Sequence, residues 1–170
     1  MSRLSESQLR ARLKRLKLLS LDTDGVLTDG GVYFTDRGEE MRKFNIKDGL
    51  GMQRVQGVGV KILMMTGSIA PAIEHRARAL GVDRIYLDTR DKLARLVSVC
   101  DELKIDLSEV AHVGDDLTDV KLFEAVGIPM TVADGVPEVL AMAHYVTQRR
   151  GGDAAVREIC DLIVEAKTET

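Results

Sequence analysis

Asp22 and Asp24, one residue apart, end the apolar run Leu18-Leu-Ser-Leu21, and Asp115, Asp116 and Asp119 follow the apolar stretch Val110-Ala-His-Val-Gly114. Between these acids lie Thr66-Gly67-Ser68, after Lys61-Ile-Leu-Met-Met65, and Asp88 with Lys92 shortly behind it. Ionised carboxylates about 4 Å apart repel by roughly 4 kcal/mol at an effective dielectric near 20, so a cluster of Asp22, Asp24 and Asp115 calls for a cation or a proton. Oxygen-only ligands, completed by waters and a substrate phosphate, describe Mg²⁺ better than Zn²⁺, which prefers His or Cys. The other groups suit phosphoryl transfer, which asks for positioning and positive charge around the transferred group. Lys92 supplies a cation, Thr66 a hydroxyl donor, and the amides of Gly25 and Gly67 can approach phosphate closely. Asp22 can attack phosphorus and form an aspartyl-phosphate. Asp24 can protonate the leaving alkoxide and later take a proton from water.

Taken singly, each piece has a bland reading. A D-x-D also opens calcium loops, but the EF-hand spacing fails here because Tyr33 stands where the Glu at loop position 12 belongs. Thr66-Gly67 can be a strand-ending turn, Lys92 a solvated helix lysine, and Asp115-Asp116 a helix cap. His112, inside a strand pattern, reads as a packed core histidine, and Asp29 as a polar residue opening a hairpin. The conjunction of these groups at successive strand ends carries the chemical reading.

The elements that must position them follow from the apolar pattern. Short apolar strands are expected at Val60–Met65, Arg84–Leu87, Val110–Val113 and Pro129–Val132, with helices at about 70–80, 91–104, 117–126 and 136–142. Strands alternating with helices imply βαβ units and a parallel sheet covered on both faces, with ligands bound at the carboxyl ends of the strands. Before this regular part, Val32–Phe34 and Glu40–Phe44 flank Thr35-Asp-Arg-Gly38 and read as an inserted hairpin, about residues 30–44. Leu4, Leu9, Leu13 and Leu16 predict an amphipathic helix leading into the first strand, and Gly151-Gly152 break the chain before a last helix from Asp153 to about Lys167.

A chain of 170 residues is expected to form one domain, residues 1–170. Its net charge of −3 gives no global basic field to attract nucleic acid or an anionic membrane. No apolar run approaches a membrane span and the N-terminal segment lacks a signal-peptide pattern, so the chain reads as cytoplasmic. Cys100 and Cys160, far apart and without ligand spacing, read as reduced structural thiols.

In this order Asp22-Thr-Asp-Gly-Val-Leu-Thr28, Thr66-Gly67, Lys92 and Gly114-Asp-Asp-Leu-Thr-Asp119 resemble the four motifs of the haloacid dehalogenase-like phosphatases. The resemblance implies Asp22 as nucleophile, Asp24 as acid/base, Thr66 and Lys92 as phosphate holders, and Mg²⁺ bound by Asp22, the Asp24 carbonyl and Asp115, supported by Asp116 and Asp119. It also implies a three-layer α/β/α Rossmann-like parallel sheet with an inserted β-hairpin, a capless haloacid dehalogenase-like fold, because the intervals between the motifs leave no room for a cap domain.

Within that superfamily the chain is most similar to the 3-deoxy-D-manno-octulosonate 8-phosphate phosphatases over residues 18–164, through Arg37-Gly-Glu-Glu-Met-Arg-Lys-Phe-Asn-Ile-Lys-Asp-Gly-Leu-Gly51, Tyr145-Val-Thr and Ala155-Val-Arg-Glu-Ile-Cys-Asp-Leu-Ile163. This likeness implies a sugar-phosphate substrate, a role in lipopolysaccharide biosynthesis, and a homotetramer assembled by the hairpin, with neighbouring subunits covering the site. The family's substrate-contacting positions fall on Asn45, Ile46, Lys47, Asp48, Gly49, Gln53, Gly67, Ser68 and Arg76. Ser68 and Gln53 depart from the pattern, which has arginine at both places. Arginine is the residue best suited to grip a sugar-acid carboxylate, so a nonulosonate 9-phosphate stands as an alternative substrate. A non-catalytic oligomeric binding module stands as the alternative of a different class.

Overall fold

The computed structural model describes residues 3–169. Helix α1 (Glu6–Arg15), closed at its start by a Ser5/Gln8 capping box, leads into β1 (Leu18–Leu21). The hairpin strands β2 (Tyr33–Phe34) and β3 (Glu40–Met41) follow, then α2 (Ile46–Gly57). The regular alternation comes next: β4 (Lys61–Met65), α3 (Pro71–Ala79), β5 (Arg84–Tyr86), α4 (Lys92–Leu103) and β6 (Val110–Val113). The chain closes with α5 (Val120–Ala125), β7 (Ile128–Thr131), α6 (Pro137–Met142), β8 (Tyr145–Val146) and α7 (Ala155–Thr168). All strands except the hairpin pair join one parallel sheet in the order β5-β4-β1-β6-β7-β8.

Alternation along the strands divides the core into two layers. Leu19, Leu21, Ile62, Met64, Ala111 and Val113 face α1, α2, α3 and α7, while Leu18, Leu63, Met65 and Val110 face α4 and α5. Ser20 and His112 share the second face and are fully buried. This is the expected three-layer α/β/α fold. Register keeps the strand ends level: Leu21 pairs with Met64 on one side and Val113 on the other. The residues that follow β1, β4 and β6 therefore emerge side by side.

Three elements differ from expectation. The stretch 117–126 is not one helix: a 3₁₀ turn at Leu117–Asp119 precedes α5, because Asp119 turns its carboxylate back to the amides of Asp115 and Asp116. The hairpin strands are only two residues long, and Phe44 pairs singly with Thr28 instead. Their short ladder fits their exposure, with Val32, Phe34 and Met41 all more than half exposed. The edge strand β8, too short to show in the apolar pattern, completes the sheet. Cys100 and Cys160 are free and buried. Among the described residues no helix is long and apolar enough to cross a membrane.

Candidate active site

Asp22 is the first residue beyond β1, held by its amide donating to the Val113 carbonyl at 2.9 Å. Its Oδ1 accepts from the Thr23 amide at 2.7 Å and its Oδ2 from Lys92 Nζ at 2.7 Å. Lys92 opens α4 after the N-cap Asp91, and its side chain is 6% exposed. The same ammonium donates to Asp119 Oδ1 at 2.7 Å and to Thr118 Oγ1 at 3.4 Å. Asp119 is fully buried and also meets His112 Nε2 at 3.2 Å, while the other ring nitrogen of His112 meets Ser20 Oγ at 3.0 Å.

The chain turns sharply after Asp22, with the amides of Leu27 and Thr28 donating back to the Thr23 carbonyl. Gly25 sits at φ +81°, and a Cβ there would lie 2.0 Å from Asp115 Oδ2. Only glycine fits, both for backbone and for space. Asp24 Oδ1 accepts from Arg42 Nε at 2.7 Å, and its Oδ2 lies 3.5 Å from Thr66 Oγ1. Thr66, the first residue beyond β4, is fixed by its amide on the Tyr86 carbonyl and accepts from the Ser68 amide at 3.0 Å.

The electrostatics follow from packing acids around one ammonium. Burial raises the Asp22 carboxyl above its ordinary range, Asp119 adds to the rise, and Lys92 opposes both. For Asp119 burial acts the same way, but His112 and Lys92 outweigh it and hold the carboxyl low. Lys92 is desolvated too, yet Asp22 and Asp119 keep its pKa above the ordinary lysine value. Asp115 is pushed up to about 7, first by burial and then by Asp22, Asp119 and Asp116. Oxygens of Asp22, Asp115 and Asp119 all lie within 4.8 Å of one another. A carboxylate forced toward neutrality by burial and by acidic neighbours, in an all-oxygen cluster, fits a hard divalent cation such as Mg²⁺. Because Asp119 is already engaged by Lys92, His112 and two amides, Asp22 and Asp115 are the side chains best free to take the metal.

These groups line one cleft of about 460 Å³, with Asp22, Asp24, Thr66, Gly67, Ser68, Lys92, Asp115 and Asp116 on its walls. That size suits a sugar phosphate. Thr118, within the Gly114–Asp119 motif, and Thr89 and Arg90, outside any motif, complete the lining. Asp116 is exposed, its Oδ1 accepting from the Leu117 amide at 2.6 Å. A concavity of about 530 Å³ on the outer side of α7 mixes Lys47, Arg149 and Arg157 with Glu158, Asp161 and Glu165, and it holds none of the Asp22, Asp115 and Asp119 cluster.

The other expected substrate positions stand apart from the cleft within one chain. Asn45 caps α2 by accepting from the Lys47 amide at 2.9 Å, and its carbonyl accepts from Arg76 Nη2 at 3.2 Å. Asn45, Asp48, Gly49 and Arg76 line a small void beside Phe44. Asp48 is buried, accepts from the Arg157 amide at 2.7 Å, and is raised to about 6 chiefly by burial. Ile46, Lys47 and Gln53 are exposed on α2. Sequence reasoning missed Arg42, one cation among several in the hairpin segment, and the polar role of His112, whose partners Ser20 and Asp119 are distant in the chain.

The haloacid dehalogenase-like hydrolase family matches residues 65–159. The 3-deoxy-D-manno-octulosonate 8-phosphate phosphatase of Yersinia pestis is 39% identical over 156 residues, covering 92% of this chain and 83% of its own. That of Escherichia coli K12 is 39% identical over 157 residues, covering 92% and 84%. Among solved structures, the Moraxella catarrhalis phosphatase in complex with magnesium, phosphate and 3-deoxy-D-manno-octulosonate (KDO) superposes with a TM-score of 0.93 at 35% identity, covering 96% of this chain and 94% of that one. The cobalt-bound Haemophilus influenzae phosphatase gives 0.88 at 29% identity, covering 92% and 91%. By its strand-end motifs, its sheet and these relatives, the chain belongs to the haloacid dehalogenase-like hydrolases and, within them, to the 3-deoxy-D-manno-octulosonate 8-phosphate phosphatase family.

Proposed function

We propose that the protein is a Mg²⁺-dependent phosphatase converting 3-deoxy-D-manno-octulosonate 8-phosphate to 3-deoxy-D-manno-octulosonate and phosphate. The observation that carries the chemistry is the meeting of Asp22, Asp24, Thr66, Lys92 and Asp115 in one cleft. The substrate is supported by the shared activity of the relatives, which favours the octulosonate over the nonulosonate.

Asp22 attacks phosphorus as the bond to the sugar oxygen breaks, and Asp24 gives that oxygen its proton. Water then attacks the aspartyl-phosphate, returning a proton to Asp24 as phosphate leaves Asp22. Thr66 and Lys92 hold the phosphoryl oxygens, and Lys92 keeps Asp22 ionised and aimed. Asp22, the Asp24 carbonyl and Asp115 would hold Mg²⁺, which would supply charge neutralisation for the transferred group. Asp116 and Asp119 support that set.

In this reading the chain is one catalytic domain with the hairpin as an insertion, working in the cytoplasm. The apolar side chains left open on the hairpin, Val32, Phe34 and Met41, suit assembly with further copies into a tetramer. Asn45–Gly49, Gln53, Ser68 and Arg76 would then complete the sugar site together with a neighbour. Phosphate release from the octulosonate phosphate, a nonulosonate 9-phosphate and hexose phosphates, with and without chelator, tests the reading. It predicts the highest kcat/KM for the octulosonate phosphate, and loss of turnover in chelator and in Asp22→Asn. Release that survives Asp22→Asn would sink the mechanism, and none from any sugar phosphate would favour a binding module.

A further inference from the structure

Arg42 lies just beyond β3, in a hairpin whose apolar side chains stand open to solvent, yet its own side chain is 5% exposed. It folds back over the strand ends to pair with Asp24, Nε to Oδ1 at 2.7 Å, and its Nη1 pairs with Glu40. Burial alone would disfavour the guanidinium, but Asp24 and Glu40 more than compensate. Fixing Oδ1 leaves the second oxygen of Asp24, Oδ2, beside the Thr66 hydroxyl in the cleft. A carboxyl protonated on Oδ2 still offers Oδ1 as an acceptor, so the contact can persist whichever form Asp24 takes.

We infer that Arg42 is the positioning residue for Asp24: it holds one carboxyl oxygen so that the other carries the proton to and from the substrate oxygen. The inference rests on the phosphatase reading above. A misplacement of about 1 Å in such a group costs on the order of 10²-fold in rate. Expulsion of a sugar alkoxide requires proton donation, whereas expulsion of nitrophenolate, a stable anion, does not.

The test compares kcat/KM, which reports the step expelling the leaving group, for a sugar phosphate and for p-nitrophenyl phosphate in the full-length enzyme with Mg²⁺. Arg42→Ala is expected to lose about 10²-fold on the sugar phosphate and less than about threefold on the aryl ester. Added guanidinium is expected to restore part of the loss, and in an Asp24→Asn background the same change should cost little more. Equal losses on both substrates, or a rise in KM for the sugar phosphate at unchanged kcat, would overturn the assignment, the latter by making Arg42 a substrate contact. A wild-type enzyme inert toward both substrates would instead overturn the phosphatase reading, and this inference with it.

Discussion

The ammonium of Lys92 and the carboxylate of Asp119 meet at 2.7 Å with both side chains almost wholly out of solvent. The same ammonium serves Asp22, so one cation compensates two buried acids. Removing it leaves Asp22 without its cation and Asp119 with only His112 and two amides, and a broken buried pair costs about 3–5 kcal/mol. Lys92→Ala is therefore expected to lower stability more than Asp119→Asn, which keeps an acceptor for Lys92. Urea unfolding in chelator measures the difference, and a smaller loss for Lys92→Ala would show that the shared ammonium does not hold the acids.

Asp115 gives stability a pH dependence of a definite sign. Its folded carboxyl titrates near 7 and its unfolded one near the ordinary 3.8. Between those values the unfolded chain binds fewer protons, so stability falls as pH rises through the interval. Asp48, raised to about 6, adds a fall of the same sign that ends earlier. Mg²⁺ requires ionised ligands, so its stabilisation should grow over the same range. Thermal midpoints at about pH 5 and about pH 7.5 are expected to drop in chelator and to separate from the Mg²⁺ values only at the higher pH. Asp115→Asn should reduce the drop and remove the Mg²⁺ effect. An equal Mg²⁺ shift at both pH values would contradict the assignment.

Much of this architecture is visible in the residues themselves, because the buried strands are short apolar runs and those of β1, β4 and β6 end on groups that can do chemistry. The level register of β1, β4 and β6 turns those run ends into neighbours. What stays hidden depends on long-range packing. His112 looks like one more core residue until the sheet places it beside Ser20 and Asp119. Arg42 is one cation among Arg37, Lys43 and Lys47, and only the folded hairpin brings it to Asp24. The helical pattern over 117–126 breaks because Asp119 caps the turn before it, a local competition that periodicity does not register.

Two glycines separate backbone strain from crowding. Gly25 and Gly38 have nearly the same positive φ, +81° and +79°, but an added Cβ meets Asp115 at 2.0 Å in the first and nothing within 4 Å in the second. Gly38→Ala should cost only the left-handed backbone penalty, about 1–2 kcal/mol. Gly25→Ala should add a displaced Asp115 and weaken Mg²⁺ binding on the order of 10–100-fold. Calorimetric titration of Mg²⁺ into both variants separates them, and equal affinities would mean that Asp115 takes no part in the metal site.

A cation outside the expected pattern stands on the cleft wall. Ser68 stands where the resemblance leads one to expect arginine, but the loop after β5 is tied to it: the Asp88 amide donates to the Ser68 carbonyl at 3.1 Å and the Thr89 amide to the Thr66 carbonyl at 2.9 Å. These bonds place Arg90 on the same cleft wall, where its side chain is 93% exposed and its ion pair with Asp88 is long, at 3.9 Å. A guanidinium so weakly engaged is available to a sugar-acid carboxylate, and a charge-assisted bond contributes about 1.5–3 kcal/mol. Arg90→Ala should then raise KM for the octulosonate phosphate by roughly tenfold or more at unchanged kcat, with little change for a hexose phosphate lacking the carboxylate. Arg90→Lys should recover only part of the loss, because an ammonium cannot grip both oxygens of a carboxylate as the planar guanidinium does. Because the side chain is exposed and only weakly paired, stability should not change. An equal KM increase on both substrates would instead place Arg90 on the phosphate they share, and leave the carboxylate to Lys47 or Arg76.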